Sequence, residues 1–596
     1  MSGIFGLVRK DGAPAALTWL AQMEAAMAAW DRDGAGHHLA GSAGLGLLLC
    51  HNTPLSRTET GPYAEQGMVI TADVRLDNRP ELVPVLATEG DPLTDPALLL
   101  RAYRRWGETC VDHLLGAFAF AIWDGRQQTL FCARDQLGCR PFFYYEGTRF
   151  LAFASDPQAL LALAAVPARP DREALLAHHM LDYRFFAERT LFQDVRRLPP
   201  AHTIFLHAGQ SRRRRYWTPN VGPRLRLSRP EEYAELLGER LQEAVACRLR
   251  SAYPVGSHLS GGLDSAAVTV LAARLLRAGN RTLAGTFSWS PPPAGQGGPS
   301  PVVGDERVLI AAVCAQERLT CRYTRLETAG VLDVLRNEEH PVPGARFYCE
   351  PLVRREAASA GIRTLLSGWG GDETVAFSGR GHLAALGRQG RWLQLARLSR
   401  RQLARHGGTL PGLLKASVLY PLLPDRLLRL LGREISPAEA AFMAAEGWVL
   451  SPAEWQVLRR KWQETRVRAG AHHNQMAMLA NHHLALRMEA WAIRGARLGI
   501  EYRYPLLDRR LVELCLQFPP DLYLHDGWKR WPLRQAMAGI LPAALCWNPS
   551  KAEPARQATI APVIAAAKAE LADGVRAGTL TLEELAPIHP CALGLP

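Results

Sequence analysis

The sequence has no stretch of about 20 apolar residues, and Met1–Gly6 contains no basic segment followed by an apolar run. Membrane-spanning helices and secretory signals both need such a run, so neither is expected. The eleven cysteines are scattered, without the Cys-x-x-Cys spacing of a zinc site or a redox pair. These absences predict reduced thiols in a cytoplasmic protein with no membrane partner.

The charge balance is positive, because 70 lysines and arginines outnumber 57 aspartates and glutamates to give a formal net charge of +13. Such an excess is typical of proteins that bind nucleic acid or an acidic peptide, and it also arises from an arginine-rich surface. We favour the surface interpretation, so a nucleic-acid partner is not expected. The length of 596 residues exceeds what one hydrophobic core can hold and predicts two or more domains.

Short apolar segments bounded by Gly, Asp, Asn or Pro dominate the first 200 residues, which indicates strands. The predicted strands are Gly44–Leu49, Met68–Ala72, Gly116–Trp123, Thr129–Ala133, Pro141–Tyr145 and Phe150–Ala154. Two helices are predicted, at Ala15–Trp30 and Asp95–Trp106. Together these segments predict stacked antiparallel sheets with helices outside them.

The pattern changes after the segment His207–Pro230, which is rich in Arg, Pro and Gly. From Glu231 onward, long helices alternate with short apolar strands such as Leu283–Ser288 and Arg363–Ser367. This alternation predicts a parallel sheet within an α/β domain. The later region, Gln389–Pro587, is predicted to be mostly helical.

The segment Ser260–Ser265 (SGGLDS) joins a predicted buried strand, Pro254–Leu259, to an apolar helix that begins at Ser265. Adjacent glycines let the backbone approach an anion, and the first turn of a helix offers unpaired N–H groups to phosphate. The Lys-Ser/Thr ending of a Walker A loop is absent here. Asp264 would repel phosphate unless a cation lay between them, which indicates Mg2+ beside ATP.

A second glycine-rich strand end, Ser367–Glu373 (SGWGGDE), contains Asp372. Because ligands of open parallel sheets bind at the carboxyl ends of the strands, both loops are expected to face one nucleotide. Asp372 would then share the metal with Asp264, although an acidic pair at a helix start is an alternative interpretation. Lys551, after the turn at Pro549, is a candidate cation for a phosphate or an anionic intermediate.

These motifs carry a family resemblance over nearly the whole chain. The segments that match in order are Ser2–Gly6, Gly116–Asp124, Ala133–Asp135, Phe153–Ser155, Leu198–Pro200, Ser260–Ser265, Ser367–Glu373, Ile500–Asp508 and Ser550–Lys551. They resemble the asparagine synthetase superfamily.

The resemblance implies a fold and three segments. Residues 1–205 would form a degenerate class-II glutamine amidotransferase domain, an Ntn-type αββα sandwich. Residues 206–230 would be a linker. Residues 231–596 would form an α/β ATP pyrophosphatase domain of the adenine nucleotide α-hydrolase type, with a helical C-terminal part.

The resemblance also implies the roles of individual residues. Pyrophosphate and metal would be held by Ser260, Gly261, Gly262, Asp264 and Ser265, with Asp372 as the second metal ligand. The adenosine pocket would be lined by Ser288, Ser367 and Gly368. Lys551 would steady the adenylate, and Glu489 lies where relatives keep an acidic residue that can act as a base. A solvated carboxylate on a helix face is the alternative for Glu489, and Asp305–Glu306 is a weaker candidate behind the site.

Two departures from the glutamine-using members concern ammonia supply. Those members carry Cys after the initiator Met, whereas this chain has Ser2, and a hydroxyl is a weaker nucleophile near neutral pH. Their Asn-Gly-Glu segment, which stabilises the oxyanion, is replaced by residues in Ala72–Asn78. A glutaminase-like fold without glutaminase activity is therefore expected.

Trp369 stands where asparagine synthetases have Glu in SGEGADE. A Trp followed by Gly-Gly resembles the cyclases that close lasso peptides. That resemblance implies adenylation of an Asp or Glu side chain in a core peptide, attack by the peptide's N-terminal amine, and release of AMP and pyrophosphate. A leader-binding protein and a leader peptidase are the expected protein partners.

Two other hypotheses remain open at this stage. One is a small-molecule ligase of the same superfamily, either an asparagine synthetase or a β-lactam synthetase. The other is a non-catalytic nucleotide- or RNA-binding regulator on a decayed synthetase fold, which the positive charge would favour and the intact SGGLDS segment opposes.

Overall fold

Two six-stranded antiparallel sheets form the first part of the chain in the computed structural model. The model describes residues 1–87, 93–171, 173–174, 186–220, 222–337, 348–431 and 466–577, with single positions between 452 and 463. The strands of the two sheets are β1 (Gly3–Arg9), β2 (Ala35–Ala40), β3 (Ala43–Leu48), β4 (Tyr63–Glu65), β5 (Met68–Leu76), β6 (Gly116–Asp124), β7 (Thr129–Arg134), β8 (Phe143–Glu146), β9 (Phe150–Ala154), β10 (Val195–Arg197), β11 (His202–His207) and β12 (Gln210–Arg215).

The sheets stack face to face, and their order is β10-β8-β9-β1-β3-β2 in one and β12-β11-β7-β6-β5-β4 in the other. Apolar side chains of both sheets meet in a shared core that includes Ile4, Leu45, Ala121 and Phe153. The covering helices are α1 (Leu17–Ala26), α2 (Arg79–Leu86), α3 (Asp95–Trp106) and α4 (Pro157–Leu161). The layered sandwich predicted from the sequence is thereby confirmed.

Strand β12 falls inside the segment 206–230 that the sequence predicts to be a linker. The run Arg212–Arg215 pairs with β11 as an exposed edge strand, and arginines there match the way native sheets protect their edges. Arg212 forms an ion pair with Glu108, and Arg213 lies 2.8 Å from Glu188. The basic run hid the strand because its charges mask the two-residue periodicity.

A five-stranded parallel sheet forms the centre of the second part, in the order β15-β14-β13-β16-β17. Its strands are β13 (Val255–His258), β14 (Gly285–Ser288), β15 (Cys321–Tyr323), β16 (Thr364–Leu366) and β17 (Glu501–Arg503), and the hairpin β18 (Leu524–His525) with β19 (Trp528–Lys529) lies apart. Since β13 and β16 are neighbours, the loops that follow them emerge side by side at one edge.

Helices pack around this sheet as the alternating pattern predicts. They are α5 (Pro230–Arg248), α6 (Leu263–Ala278), α7 (Glu306–Glu317), α8 (Thr328–Asn337), α9 (Glu350–Ser359), α10 (His382–Arg388), α11 (Trp392–His406), α12 (Leu410–Leu414), α13 (Tyr420–Leu422), α14 (Asp425–Leu430), α15 (Ala471–Leu479), α16 (His483–Ala496), α17 (Arg509–Gln517), α18 (Trp531–Ala536), α19 (Ala543–Cys546) and α20 (Pro554–Arg576). Helix α6 is buried over most of its surface, which its nearly unbroken apolar sequence allows. None of the described helices has the length and hydropathy to cross a bilayer.

Buried ion pairs join the two parts. Glu489 of α16 is fully buried, and it accepts hydrogen bonds from Arg197 at 2.8 Å and from Arg134 at 3.2 Å. Glu501 of β17 likewise accepts from Arg140 at 2.6 Å and from Asn52 at 2.9 Å. Two carboxylates of the second part therefore lie among donors of the first.

The placement of Glu489 corrects the expectation that it faces the active site as a base. Its carboxylate is shielded from solvent and occupied by two guanidinium groups, so it anchors one part of the chain to the other.

We predict that Glu489→Gln lowers the free energy of unfolding by about 3–5 kcal/mol, because Arg134 and Arg197 would keep buried charges without a counter-ion. Urea titration followed by circular dichroism measures the change. Glu243→Gln is the matched control, since Glu243 pairs with Arg240 on the surface, and such a pair contributes about 1 kcal/mol or less. Equal effects of the two substitutions would contradict the anchoring role.

Candidate active site

The turn after β13 is built for close approach of the backbone. Gly261 has a φ of +73°, and a Cβ there would lie 2.8 Å from the carbonyl oxygen of Glu306. The N–H of Ser260 donates to Ser265 Oγ at 3.1 Å, and that hydroxyl donates to the carbonyl of Gly262 at 3.2 Å. No side chain caps α6 at Gly262. The amides of its first turn therefore stay available to an anion.

The turn after β16 presses directly against the first. A Cβ on Gly368 would lie 2.7 Å from the backbone nitrogen of Ser265, closer than side chains tolerate. A Cβ on Gly371 would lie 2.7 Å from Asp264 Oδ1. Glycine at both positions lets the two strand ends form one continuous wall of a cavity.

Two carboxylates face this cavity with different partners. Asp264 Oδ1 is buried and has no hydrogen-bond partner in the part of the chain that the structure describes, whereas Asp372 accepts from Arg530 at 2.8 Å and from Lys551 Nζ. Burial, together with the charge of Asp372, raises the pKa of Asp264 from 3.8 to about 6. Burial would also raise the pKa of Asp372, but Lys551 and Arg530 outweigh it and lower that pKa.

Glu306 holds the segment that carries Lys551. Its buried carboxylate accepts from Ser290 Oγ at 2.9 Å and from the N–H groups of Ala555 and Arg556 at 3.0 and 2.9 Å. Glu306 thus fixes the start of α20, a few residues beyond Lys551. Its neighbour Asp305 caps α7 by accepting from the N–H of Arg307 at 2.9 Å. Both residues act behind the cavity wall.

Aromatic rings and one arginine form a further part of the cavity lining. The guanidinium of Arg487 lies 3.7 Å from the ring centre of Trp369 and 5.6 Å from that of Trp289. Trp491 packs behind it at 4.2 Å. Burial lowers the pKa of Arg487 to about 10. Cation–π contacts hold this side chain in place against an apolar surface.

The structure gathers most of the predicted site residues at this one cavity. Those that line it are Ser260, Gly261, Gly262, Asp264, Ser265, Ser367, Gly368, Trp369, Asp372 and Lys551. Ser288 and Glu489 lie elsewhere. Ser288 is buried, its hydroxyl accepts from the N–H of Ser290 at 3.2 Å, and the cavity is lined by its neighbours Phe287 and Trp289.

Sequence reasoning missed other residues that line the cavity, among them His258, Arg487, Arg530 and Arg534. His258 could have been noticed as the last residue of a strand that leads into the predicted phosphate-binding turn. Arg487 and Trp491 are four residues apart and share one helix face, which is a usable signal. Arg530 lies just before the short helix α18 and Arg534 lies within it, and no local sequence motif marks either residue.

Ser2 and Asp73 of the N-terminal part lie in another, smaller pocket. Ser2 Oγ accepts from the N–H of Cys50 at 3.2 Å, and the N–H of Ser2 donates to Asp73 at 3.3 Å. Asp73 lies 3.4 Å from Arg140, which also pairs with Glu501. The pocket is therefore crossed by the ion pairs that join the two parts of the chain.

Comparisons with known proteins match both parts. A model described as asparagine synthase matches residues 236–585, and a model described as glutamine amidotransferase domain matches residues 1–217.

Curated relatives match over shorter spans. Asparagine synthetase (glutamine-hydrolyzing) 3 of Bacillus subtilis is 39% identical over 181 residues, which are 30% of this chain and 29% of that protein. A putative asparagine synthetase (glutamine-hydrolyzing) of Mycobacterium tuberculosis is 34% identical over 209 residues, 34% of this chain and 31% of that protein. The amidase chyE of Penicillium rubens is 29% identical over 257 residues, 42% of this chain and 37% of that protein. The matches to the first two span about three tenths of those relatives' length.

Among solved structures, a glutamine aminotransferase class-II domain protein from Silicibacter pomeroyi aligns with a TM-score of 0.21 and 15% identity. That alignment covers 36% of this chain and 98% of the other.

The raised pKa of Asp264 makes stability depend on pH. The folded protein binds this proton more tightly than the unfolded chain, so the stabilising contribution is full below about pH 4 and is lost as the pH rises through about 6. A shift of about two units corresponds to about 3 kcal/mol. We therefore predict that Asp264→Asn is more stable than the parent by up to about 3 kcal/mol at about pH 7.5, without ATP and Mg2+.

Urea titrations at about pH 4 and at about pH 7.5 measure the difference in stability between Asp264→Asn and the parent. This difference should shrink toward zero at about pH 4. Asp573→Asn is the control, because Asp573 is exposed and, among the described residues, pairs with Arg576 in its own helix. A gain from Asp264→Asn that is the same at both pH values would contradict the assignment of the titration to this carboxylate.

Proposed function

This chain belongs to the asparagine synthase family, and we propose that it is an ATP-dependent ligase that forms an amide bond in the cavity between the turns after β13 and β16. The observation that carries the proposal is the meeting of Asp264, Asp372 and Lys551 at the end of two interlocked glycine turns. Phosphate-binding amides, two carboxylates and a cation are the groups that ATP cleavage at the α-phosphorus needs.

The reaction has two steps. A carboxylate oxygen of the substrate attacks the α-phosphorus of ATP, and pyrophosphate leaves. An amine nitrogen then attacks the carbonyl carbon of the acyl adenylate, loses a proton, and AMP leaves with the former carboxylate oxygen. The amides of Ser260–Ser265 would hold phosphate oxygens, and Lys551 would face the charge that develops on the adenylate.

The donor set at Asp264 fits a magnesium ion. Its buried Oδ1 has no hydrogen-bond partner among the described residues, and Asp372 offers a second carboxylate in the same cavity. Asp264 and Asp372 would hold Mg2+, which neutralises charge on the leaving pyrophosphate when bound.

The N-terminal part is proposed not to supply ammonia. Ser2 stands where the resemblance places the cysteine nucleophile, and the surrounding pocket is lined by Asp73, Arg140 and Glu501, with Arg140 paired to both carboxylates. These residues support a structural role for this domain. The nitrogen would then come from an amine of the substrate itself.

We propose, more specifically, that the substrate is a peptide whose own N-terminal amine attacks an activated Asp or Glu side chain, giving a lasso-type macrolactam. An intramolecular amine needs no ammonia source and reacts at high effective concentration. The side of the cavity built from Trp289, Trp369 and Arg487 offers apolar and cationic contacts suited to a peptide. A leader-binding protein and a leader peptidase would prepare that peptide.

A small-molecule ligase is the second candidate. The family model and the relatives named asparagine synthetase favour it, because aspartate and ammonia would use the same phosphate turns, carboxylates and lysine. A β-lactam synthetase is a variant of this candidate with an internal amine.

Carboxylate-dependent exchange of radiolabelled pyrophosphate into ATP tests the proposal. The panel contains aspartate with ammonium, glutamine, and synthetic peptides matching short reading frames beside the gene, each with a free N-terminal amine and an internal Asp or Glu. We predict exchange with a peptide, loss of one water from its mass, and no hydrolysis of glutamine. Asp372→Asn should reduce the exchange at least about 100-fold, as expected for loss of a metal-binding carboxylate.

The other outcomes separate the candidates. Asparagine formed from aspartate and ammonium would contradict the peptide proposal and favour the small-molecule ligase. Glutamine hydrolysis would contradict the structural role of the N-terminal domain. Absence of exchange with every member of the panel would contradict the ligase itself.

A further inference from the structure

A histidine lies at the point where β13 enters the phosphate turn. His258 is the last residue of β13, it is among the residues that line the cavity, and its side chain is 12% exposed. Its backbone carbonyl accepts from Thr269 Oγ1 at 3.1 Å. The ring packs between Trp491, 5.6 Å away edge to face, and Trp289 at 6.0 Å. The imidazole is thus held in one place beside the turn that binds phosphate.

A buried carboxylate stands behind this ring. Glu350, the first residue of α9, is 1% exposed, and its Oε1 lies 3.3 Å from His258 Nε2. Its Oε2 accepts from Trp289 Nε1 at 2.7 Å, and Tyr502 donates its hydroxyl proton to Oε1. Burial would raise the pKa of Glu350, but His258, with Arg354 and Tyr502, outweighs it and lowers that pKa. Glu350 is therefore an anion fixed by several donors.

An imidazole backed by a fixed carboxylate is an arrangement suited to accepting a proton. Nε2 lies within ion-pair distance of Glu350, so an imidazole that carries its proton on Nε2 keeps the lone pair of Nδ1 as the basic site, and the carboxylate would stabilise the imidazolium that forms. The carboxylate need not take the proton itself.

Apart from Asp264, which would hold Mg2+, the carboxylates that line the described cavity already have partners, as Glu553 has in Arg556 at 2.8 Å. Asp372 is engaged by Lys551 and Arg530. Glu373 pairs with His483 at 2.9 Å, but the residue of this pair that lines the cavity is the carboxylate Glu373 and not the imidazole. Glu489 lies outside the cavity altogether.

We propose that His258 is the general base of amide formation and that Glu350 orients it; this inference rests on the ligase function proposed above. As the amine nitrogen bonds to the carbonyl carbon of the acyl adenylate, an N–H proton passes to His258 Nδ1. The bond from that carbon to the AMP oxygen then breaks, and AMP leaves. Adenylation, in which no proton has to leave an amine, does not use His258.

The ionisable groups around His258 come from four neighbouring segments. They are Cys349, Glu350 and Arg354 at α9, Arg487 of α16, Tyr502 and Tyr504 at β17, and Arg556 of α20. The pH dependence of amide formation can be assigned to His258 only if the replacement of His258 removes that pH dependence.

The two half-reactions test the assignment in the full-length protein. The variants are His258→Asn and Glu350→Gln, with His202→Asn as the matched control in the N-terminal domain. The substrate is the peptide, or the aspartate with ammonium, that supports pyrophosphate exchange in the parent. We expect His258→Asn to retain exchange within about threefold and to lose amide formation by about 100-fold or more, the usual contribution of a general base.

Hydroxylamine gives a second readout, because it is largely unprotonated near neutral pH and traps an acyl adenylate as the hydroxamate without a base. His258→Asn should form hydroxamate at the parent's rate while failing to form amide. Glu350→Gln should show a smaller loss of amide formation with hydroxamate retained. The rise of the amide-forming rate with pH should be flattened in His258→Asn and unchanged in His202→Asn.

Four outcomes would overturn the inference. Undiminished amide formation in His258→Asn excludes the residue as the base. An equal loss of exchange, hydroxamate and amide indicates a structural role. An unaltered pH profile in His258→Asn assigns the proton to another group. Absence of exchange in the parent with every carboxylate overturns the ligase function and the base assignment together, which distinguishes that failure from the other three.

Discussion

The contact on which the site depends is the approach of Gly368 to the backbone of Ser265. A single added carbon at residue 368 would come within 2.7 Å of that nitrogen, so the two turns can meet only with glycine there. The parallel pairing of β13 with β16 brings the turns to the same edge. Asp264 directly precedes Ser265, and Asp372 lies four residues after Gly368. The position of the acidic groups is thus a consequence of backbone packing rather than of side-chain choice.

The N-terminal sandwich contributes to this site indirectly. Arg134 and Arg197 fix α16 through Glu489, and Arg140 fixes β17 through Glu501. Arg487 of α16 lines the cavity with Trp491 packed against it, and Tyr502 lies on β17 beside Glu350. A domain with an amidotransferase fold can therefore be needed for the geometry of the ligase site without carrying chemistry of its own.

Sequence reasoning succeeded where a local pattern determines position. The glycine turns, the apolar strands before them, Asp264 and Asp372 are readable because strand ends of a parallel sheet converge. Lys551 follows no strand, and only the turn at Pro549 and the family resemblance pointed to it. Sequence reasoning failed for Glu489 because residues two apart on a helix point about 200° away from each other. Arg487 lines the cavity, so Glu489, two residues later on the same helix, faces the opposite way. Sequence reasoning also missed the pairing of His258 with Glu350, which lie 92 positions apart in the numbering and meet only through tertiary packing.

The central claim is that this cavity couples a carboxylate to the α-phosphorus of ATP. Transfer of oxygen-18 tests it most directly: the carboxylate that supports turnover is labelled with oxygen-18, and the nucleotide product is analysed by mass spectrometry. The account predicts AMP that carries one labelled oxygen, together with unlabelled pyrophosphate. Formation of ADP and phosphate, or of AMP without label, would contradict it.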